Sequence, residues 1–115
     1  MPAILVYHDT PLWSPRPGVL RCTGDEDLST QPRRRHALTR ASRASNDVVV
    51  DLVELGFADA SLMIDFAMVS RRLRMSGRGL RLRGPQPQVR RLIELVGLLR
   101  LPGVRLEDRA APQPG

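Results

Sequence analysis

The sequence predicts an α/β domain: a small mixed sheet of four to five strands with helices packed on one face. Three observations carry that prediction. The run Val48-Val49-Val50, with Leu52 close behind, is β-branched and too short for a helix, so it reads as a strand buried on both faces. Leu62, Phe66, Val69 and Leu73 then recur at helical spacing and form one continuous apolar stripe. Gly79 to Arg83 (G-L-R-L-R) alternates from residue to residue and reads as a half-buried strand, and Val89, Leu92, Ile93 and Val96 return to helical spacing. Strand–helix–strand units of this kind require right-handed crossovers and mostly parallel pairing.

The first half adds two strands and a helix. Ala3 to Tyr7 is a short apolar run, read as a first or edge strand. Pro11 to Gly18 holds three prolines and a glycine, which break both helix and ladder, so it is a loop. Val19 to Thr23 is the second strand, ended by Gly24, and the two strands form an irregular hairpin. Asp25 to Ser29 is an acidic, polar turn. Thr30 can cap a helix with Pro32 in its first turn. That helix spans Arg33 to Ser45 on a thin stripe of Ala37, Leu38, Ala41 and Ala44, with Arg33, Arg34, Arg35 and Arg40 crowding the rest.

After the valine-rich strand comes a loop. Asp59 is then placed to cap a helix from Ala60 to about Met75, and Gly77 ends it. Arg71, Arg72 and Arg74 lie late in that helix, where cations suit the negative end of its dipole. Gly84 to Pro87 is a tight turn, the next helix ends at Gly97, and Val104 to Leu106 adds a last short strand. With 115 residues the chain fits one domain, expected over 1–108, with 109–115 as a flexible C-terminal tail.

Composition narrows the function classes. Apolar residues make up 42%, which supports a packed core, whereas aromatics are only 3%, leaving Phe57, Phe66 and Trp13 as the large rings for it. The net charge is +6 and every basic residue is Arg. Arginine forks suit carboxylate- or phosphate-rich partners, but the total absence of Lys is explained more simply by high-GC coding. Cys22 is alone, which excludes an internal disulfide and a cysteine-based zinc site. No apolar run approaches the roughly 20 residues that span a bilayer, and the first residues lack the pattern of a secretory signal. A soluble, cytoplasmic protein is the expectation.

Signs of catalysis are missing. There is no glycine-rich phosphate loop and no nucleophile elbow. His8 and His36 have no ligand-type neighbours at metal spacing and read as surface residues. The Asp25-Glu26-Asp27 cluster could in principle serve as a metal or general acid site, but a solvated turn is the simpler reading. No enzyme activity, cofactor or metal is expected. Nucleic-acid binding rests on the basic balance alone, because the Arg-rich segments carry no aromatic residues for base stacking.

Three segments together resemble STAS domains, the fold of bacterial anti-sigma factor antagonists. Thr23 to Thr30 (T-G-D-E-D-L-S-T) is similar to the family's strand end and acidic turn, G-E-[LI]-D. Val48 to Leu62 (V-V-V-D-L-V-E-L-G-F-A-D-A-S-L) is similar to its strand, loop and D-S-S-G helix start. Leu80 to Leu98 (L-R-L-R-G-P-Q-P-Q-V-R-R-L-I-E-L-V-G-L) is similar to its fourth strand, its S-P turn and the helix ending in glycine. The resemblance runs from about Val19 to Leu106. It implies a protein-binding module of transcription regulation and signal transduction, one that binds a kinase-type anti-sigma factor and so releases a sigma factor. In that family the kinase phosphorylates the first serine of D-S-S-G, which adds charge at the contact surface and abolishes binding.

Here the corresponding residues read Asp59-Ala60-Ser61-Leu62. Ala60 stands at the acceptor position and a methyl group cannot be phosphorylated. Ser61 matches the second serine and is the remaining candidate acceptor. Arg34 falls where the family commonly has an apolar core residue, and Asp108 to Gly115 offers no counterpart to the family's C-terminal helix. The contact surface implied by the resemblance comprises Asp25, Glu26, Asp27, Ser29 and Thr30 together with Asp59, Ala60, Ser61, Leu62 and Met63. The alternatives are a scaffold or docking domain in a signalling complex without phospho-switching, and an Arg-rich nucleic-acid-binding protein.

Overall fold

The structure, a computed structural model, describes residues 4–11, 13–26 and 30–107. The chain runs β1 (Ile4–His8), β2 (Gly18–Glu26), α1 (Gln31–Ser42), β3 (Val48–Ala58), α2 (Ala60–Met75), β4 (Leu80–Arg83), α3 (Pro87–Leu95) and β5 (Val104–Glu107). A single 3-10 turn, Leu98–Arg100, joins α3 to β5. The strands form one five-stranded mixed sheet in the order β1-β2-β3-β4-β5. β1 pairs antiparallel with β2, and every later pair is parallel. The proposed tail, 109–115, and the first residue of the predicted first strand, Ala3, lie outside the described residues.

The order explains the layering. Each crossover from β2 onward steps in the same direction, so right-handed connections put α1, α2 and α3 on one face. Leu20, Val48, Val50, Leu52, Leu80 and Leu82 are fully buried beneath them. The helices contribute Leu38, Ala41, Leu62, Phe66, Leu73, Val89 and Ile93 to the same core. On the opposite, helix-free face, one row crosses the whole sheet in register: Val6, Arg21, Asp51, Arg83 and Glu107. Its charges alternate in sign, the favourable arrangement for neighbouring strand positions. At its end Arg83 Nε donates to Glu107 at 3.2 Å.

Two strands are longer than the sequence predicts. The residues alone place the end of β2 before Gly24 and a loop after Leu52 of β3. Instead β2 takes in Gly24, Asp25 and Glu26, which pair with Leu55, Phe57 and Ala58 of β3. Irregularities between Arg21 and Thr23 and between Gly24 and Asp25 shift the register, and Gly24 adopts a positive φ of 79°. That bulged pairing supplies backbone partners to residues whose polarity suggests a loop. α1 also starts and ends earlier than predicted, over Gln31–Ser42.

The rings are distributed differently as well. Phe66 is fully buried, but Phe57 is 50% exposed and Trp13 85% exposed. Tyr7 takes a place in the core instead. Its phenol lies against Gly18, where any Cβ would overlap the hydroxyl, and it donates to Asp9 Oδ1 at 3.1 Å. Burial, and next the Asp9 carboxylate, push its pKa well above that of an ordinary phenol.

Candidate partner-binding surface at the start of helix α2

Asp59 ends the β3 crossover in extended backbone and occupies the N-cap of α2. Its Oδ1 accepts the Ser61 backbone N–H at 2.9 Å and the Ser61 hydroxyl at 2.5 Å. Each bond satisfies a donor, and the backbone one fills a place that the first helical turn leaves empty. Ala60, between the two residues, is exposed.

A second set of bonds reaches Ser61 from α1. Arg34 Nη2 donates to Ser61 Oγ at 2.9 Å, and Arg34 Nε donates to Asp65 Oδ2 at 2.7 Å. The Arg34 side chain is 1% exposed and that of Asp65 15%. Arg34 Nη1 is 3.4 Å from Thr30 Oγ1. Thr30 therefore receives a guanidinium donor rather than capping α1: it stands at the N-cap position in helical backbone, with no side-chain capping bond.

The arginines that crowd α1 are thus divided between surface and interior. Arg33 and Arg35 are exposed, but Arg34 is part of the interior. Arg34, Ala37, Leu38 and Ala41 are the buried residues of α1, at successive i, i+3, i+4 and i+7 positions. Arg34 occupies the first place on that row. A buried guanidinium needs a compensating charge, and Asp65 supplies it. The resemblance sets Arg34 at a position that is commonly an apolar core residue, but sequence reasoning does not predict the role of Asp65. The readable signals are the row itself, extended back one turn, and an acidic residue one position before the buried Phe66.

The expected surface residues fall into three groups. Asp25, Thr30, Asp59, Ala60 and Ser61 come together at the carboxyl ends of β2 and β3, and Glu26 pairs with Ala58 beside them. Asp27 and Ser29 lie outside the described residues. Leu62 and Met63 are 0% and 2% exposed and belong to the core, although Met63 also lines the shallow apolar groove beside α2. Their burial follows from the α2 stripe, which begins at Leu62.

Sequence reasoning also misses two exposed apolar residues here. Phe57 stands in register with Asp25, and Ile64, one turn after Ala60, is 60% exposed. Ala60, Ile64, Ala67, Val96 and Leu101 line a shallow apolar groove of about 230 Å³ between α2 and the segment after α3. Exposed apolar residues beside polar ones are the usual texture of a protein contact surface. Among the described residues, no group of three or more His, Cys, Asp or Glu could hold a metal ion. Among them too, no helix is long and apolar enough to cross a membrane.

A family model described as "Mlab, STAS domain" matches residues 11–104. No curated protein matches the chain. Among solved structures, the chain is similar to the anti-sigma factor antagonist SpoIIAA in its unphosphorylated form, with 19% identity and a TM-score of 0.68. That likeness covers 96% of this chain and 90% of that one, and at this identity it speaks for the fold. Matched over most of its length and folded as a five-stranded mixed sheet with three helices, the chain belongs to the STAS domain family.

Proposed function

We propose that this protein is a protein-binding regulatory module that acts as an anti-sigma factor antagonist, engaging a kinase-type anti-sigma factor through the surface around the start of α2. The observation that carries the reading is the exposed Ala60 on a capped helix start, flanked by Asp25, Phe57, Thr30 and Ile64. The partner contact is constitutive, because position 60 has no hydroxyl to phosphorylate. Ser61 does not take over that role: its hydroxyl donates to Asp59 and accepts from Arg34.

Isothermal titration against each kinase-type anti-sigma factor of the same organism tests this. Binding by one of them, abolished in Ala60→Glu, is the expected result. An acidic residue in the first turn of a helix is tolerated or stabilising, so A60E isolates the contact from the fold. Heat in none of the titrations would sink the proposal.

The pinning of the α2 start by Arg34 and Asp65 also suits a second reading, a docking domain in a signalling complex that is never switched. Affinity purification that recovers a stable complex without any anti-sigma factor would favour it over the first.

A further inference from the structure

At the end of the sheet opposite the α2 start, the loops before β4 and β5 enclose a basic cleft of about 280 Å³. Arg78, Arg81 and Arg105 line it, with Asp47 among them. A smaller recess of about 150 Å³, lined by Pro15, Pro17 and Asn46, shares Asp47, Arg78 and Arg81 with it. Gly77 and Gly103 have φ values of 74° and 80°, and both leave backbone at the wall without a side chain over it. Gly79 lets the loops close up, since a Cβ there would sit 3.1 Å from the Gly103 carbonyl oxygen.

The charges do not cancel locally. Asp47 Oδ1 accepts the Gly79 N–H at 2.8 Å, and Asp47 Oδ2 accepts Arg81 Nη2 at 3.3 Å. Glu107 is drawn toward Arg83 at 3.2 Å and stands 3.9 Å from Arg81. The Nε of Arg78 is buried and has no hydrogen-bond partner among the described residues. A buried charged donor without an acceptor is rare and calls for an oxygen from outside the chain. Guanidinium groups match phosphate oxygens in geometry and charge.

We infer that this cleft binds the phosphate group of a small phosphorylated polyol. Arg78 and Arg105 take the phosphate, with Arg81 held beside it by Asp47. The part of the Asp47 carboxylate left open accepts a hydroxyl of the same ligand, a pairing that a bare phosphate ion would not use. The ligand body extends toward Pro15 and Pro17. The site is independent of the partner surface, from which the length of the parallel strands separates it.

Nuclear magnetic resonance titration of the full chain tests this, with glycerol phosphate and inorganic phosphate as separate probes at constant ionic strength balanced by chloride. Saturable shifts of the Gly77, Gly79 and Gly103 amides are expected with glycerol phosphate, and weaker ones with inorganic phosphate. Arg78→Gln should weaken binding about tenfold, the effect of losing one charge-assisted bond. Arg105→Gln, at an exposed position that the fold does not need, should weaken it by a smaller factor. Shifts no larger than chloride alone produces, or that persist unchanged in R78Q or R105Q, would overturn the inference.

Discussion

Arg34 and Ser61, twenty-seven positions apart in sequence, meet at 2.9 Å between guanidinium Nη2 and hydroxyl oxygen. The same guanidinium is neutralised by Asp65 at 2.7 Å, so α1 and the first two turns of α2 share one buried polar network. Whatever approaches the α2 start meets a surface whose backing is already set.

Removing one charge of that pair should be costly. Asp65→Asn removes the carboxylate that pairs with the buried Arg34 guanidinium at 2.7 Å, and the expected loss is about 3 kcal/mol. Arg34→Leu combined with Asp65→Leu should lose much less than the two single changes summed, because no charge is stranded. Urea denaturation of the two single variants and the double variant checks this. Additive losses would show that the two groups do not act as a pair.

Acceptor chemistry should follow position 60. Incubated with a kinase-type anti-sigma factor that phosphorylates family members, the native chain is expected to take up no phosphate. Ala60→Ser should be phosphorylated at residue 60 and not at Ser61. Peptide mass spectrometry locates the group, and phosphate on Ser61 in the native chain would refute the expectation.

The Asp59 cap has its own signature. Asp59→Ala removes the acceptor for both the Ser61 N–H and its hydroxyl, at an expected cost of about 1–2 kcal/mol. Asp59→Asn should recover most of the loss, since an amide oxygen still caps. Thermal unfolding followed by circular dichroism distinguishes the two.

Tyr7 makes the fold sensitive to alkali. Its pKa is raised in the folded protein, first by burial and then by Asp9, while Arg40 pulls the other way. Above about pH 10 the unfolded chain gives up a phenol proton that the folded chain retains, so stability falls as pH rises. No lysine titrates in the same range to obscure the effect. Tyr7→Phe should flatten the decline in the urea midpoint. An alkaline profile left unchanged by that substitution would remove Tyr7 as the cause.

Gly18 gives a steric counterpart. Gly18→Ala puts a methyl group into the Tyr7 phenol, with an expected loss of about 1–3 kcal/mol. The loss should shrink when Tyr7 is also reduced by Tyr7→Val, as a double-mutant cycle in urea would reveal.

The elements with strong periodicity are legible in the residues alone. Val48–Val50, the stripe from Leu62 to Leu73 and the alternation before Arg83 each match a strand or helix that the structure contains. The capping of α2 by Asp59 is legible too. The extensions of β2 and β3 are not, because Gly24 and Glu54 resemble loop residues until a partner strand pairs with them, and Gly56 falls at the irregularity between two paired residues. Arg34 misleads for a related reason. Its charge says surface, and it is partners on another helix, Asp65 and Ser61, that help make an interior place tolerable.

The strand order has a consequence for how the molecule comes together. Every strand neighbours only those immediately before and after it in the chain. No strand has to be threaded between two that have already joined. The sheet can therefore be assembled in the order of synthesis, beginning with the β1–β2 hairpin, each later strand docking on an edge that is already present. Until β5 arrives, the growing edge stays open, and the short last strand closes the series with Arg105 and Glu107, charges that discourage a further chain from joining it.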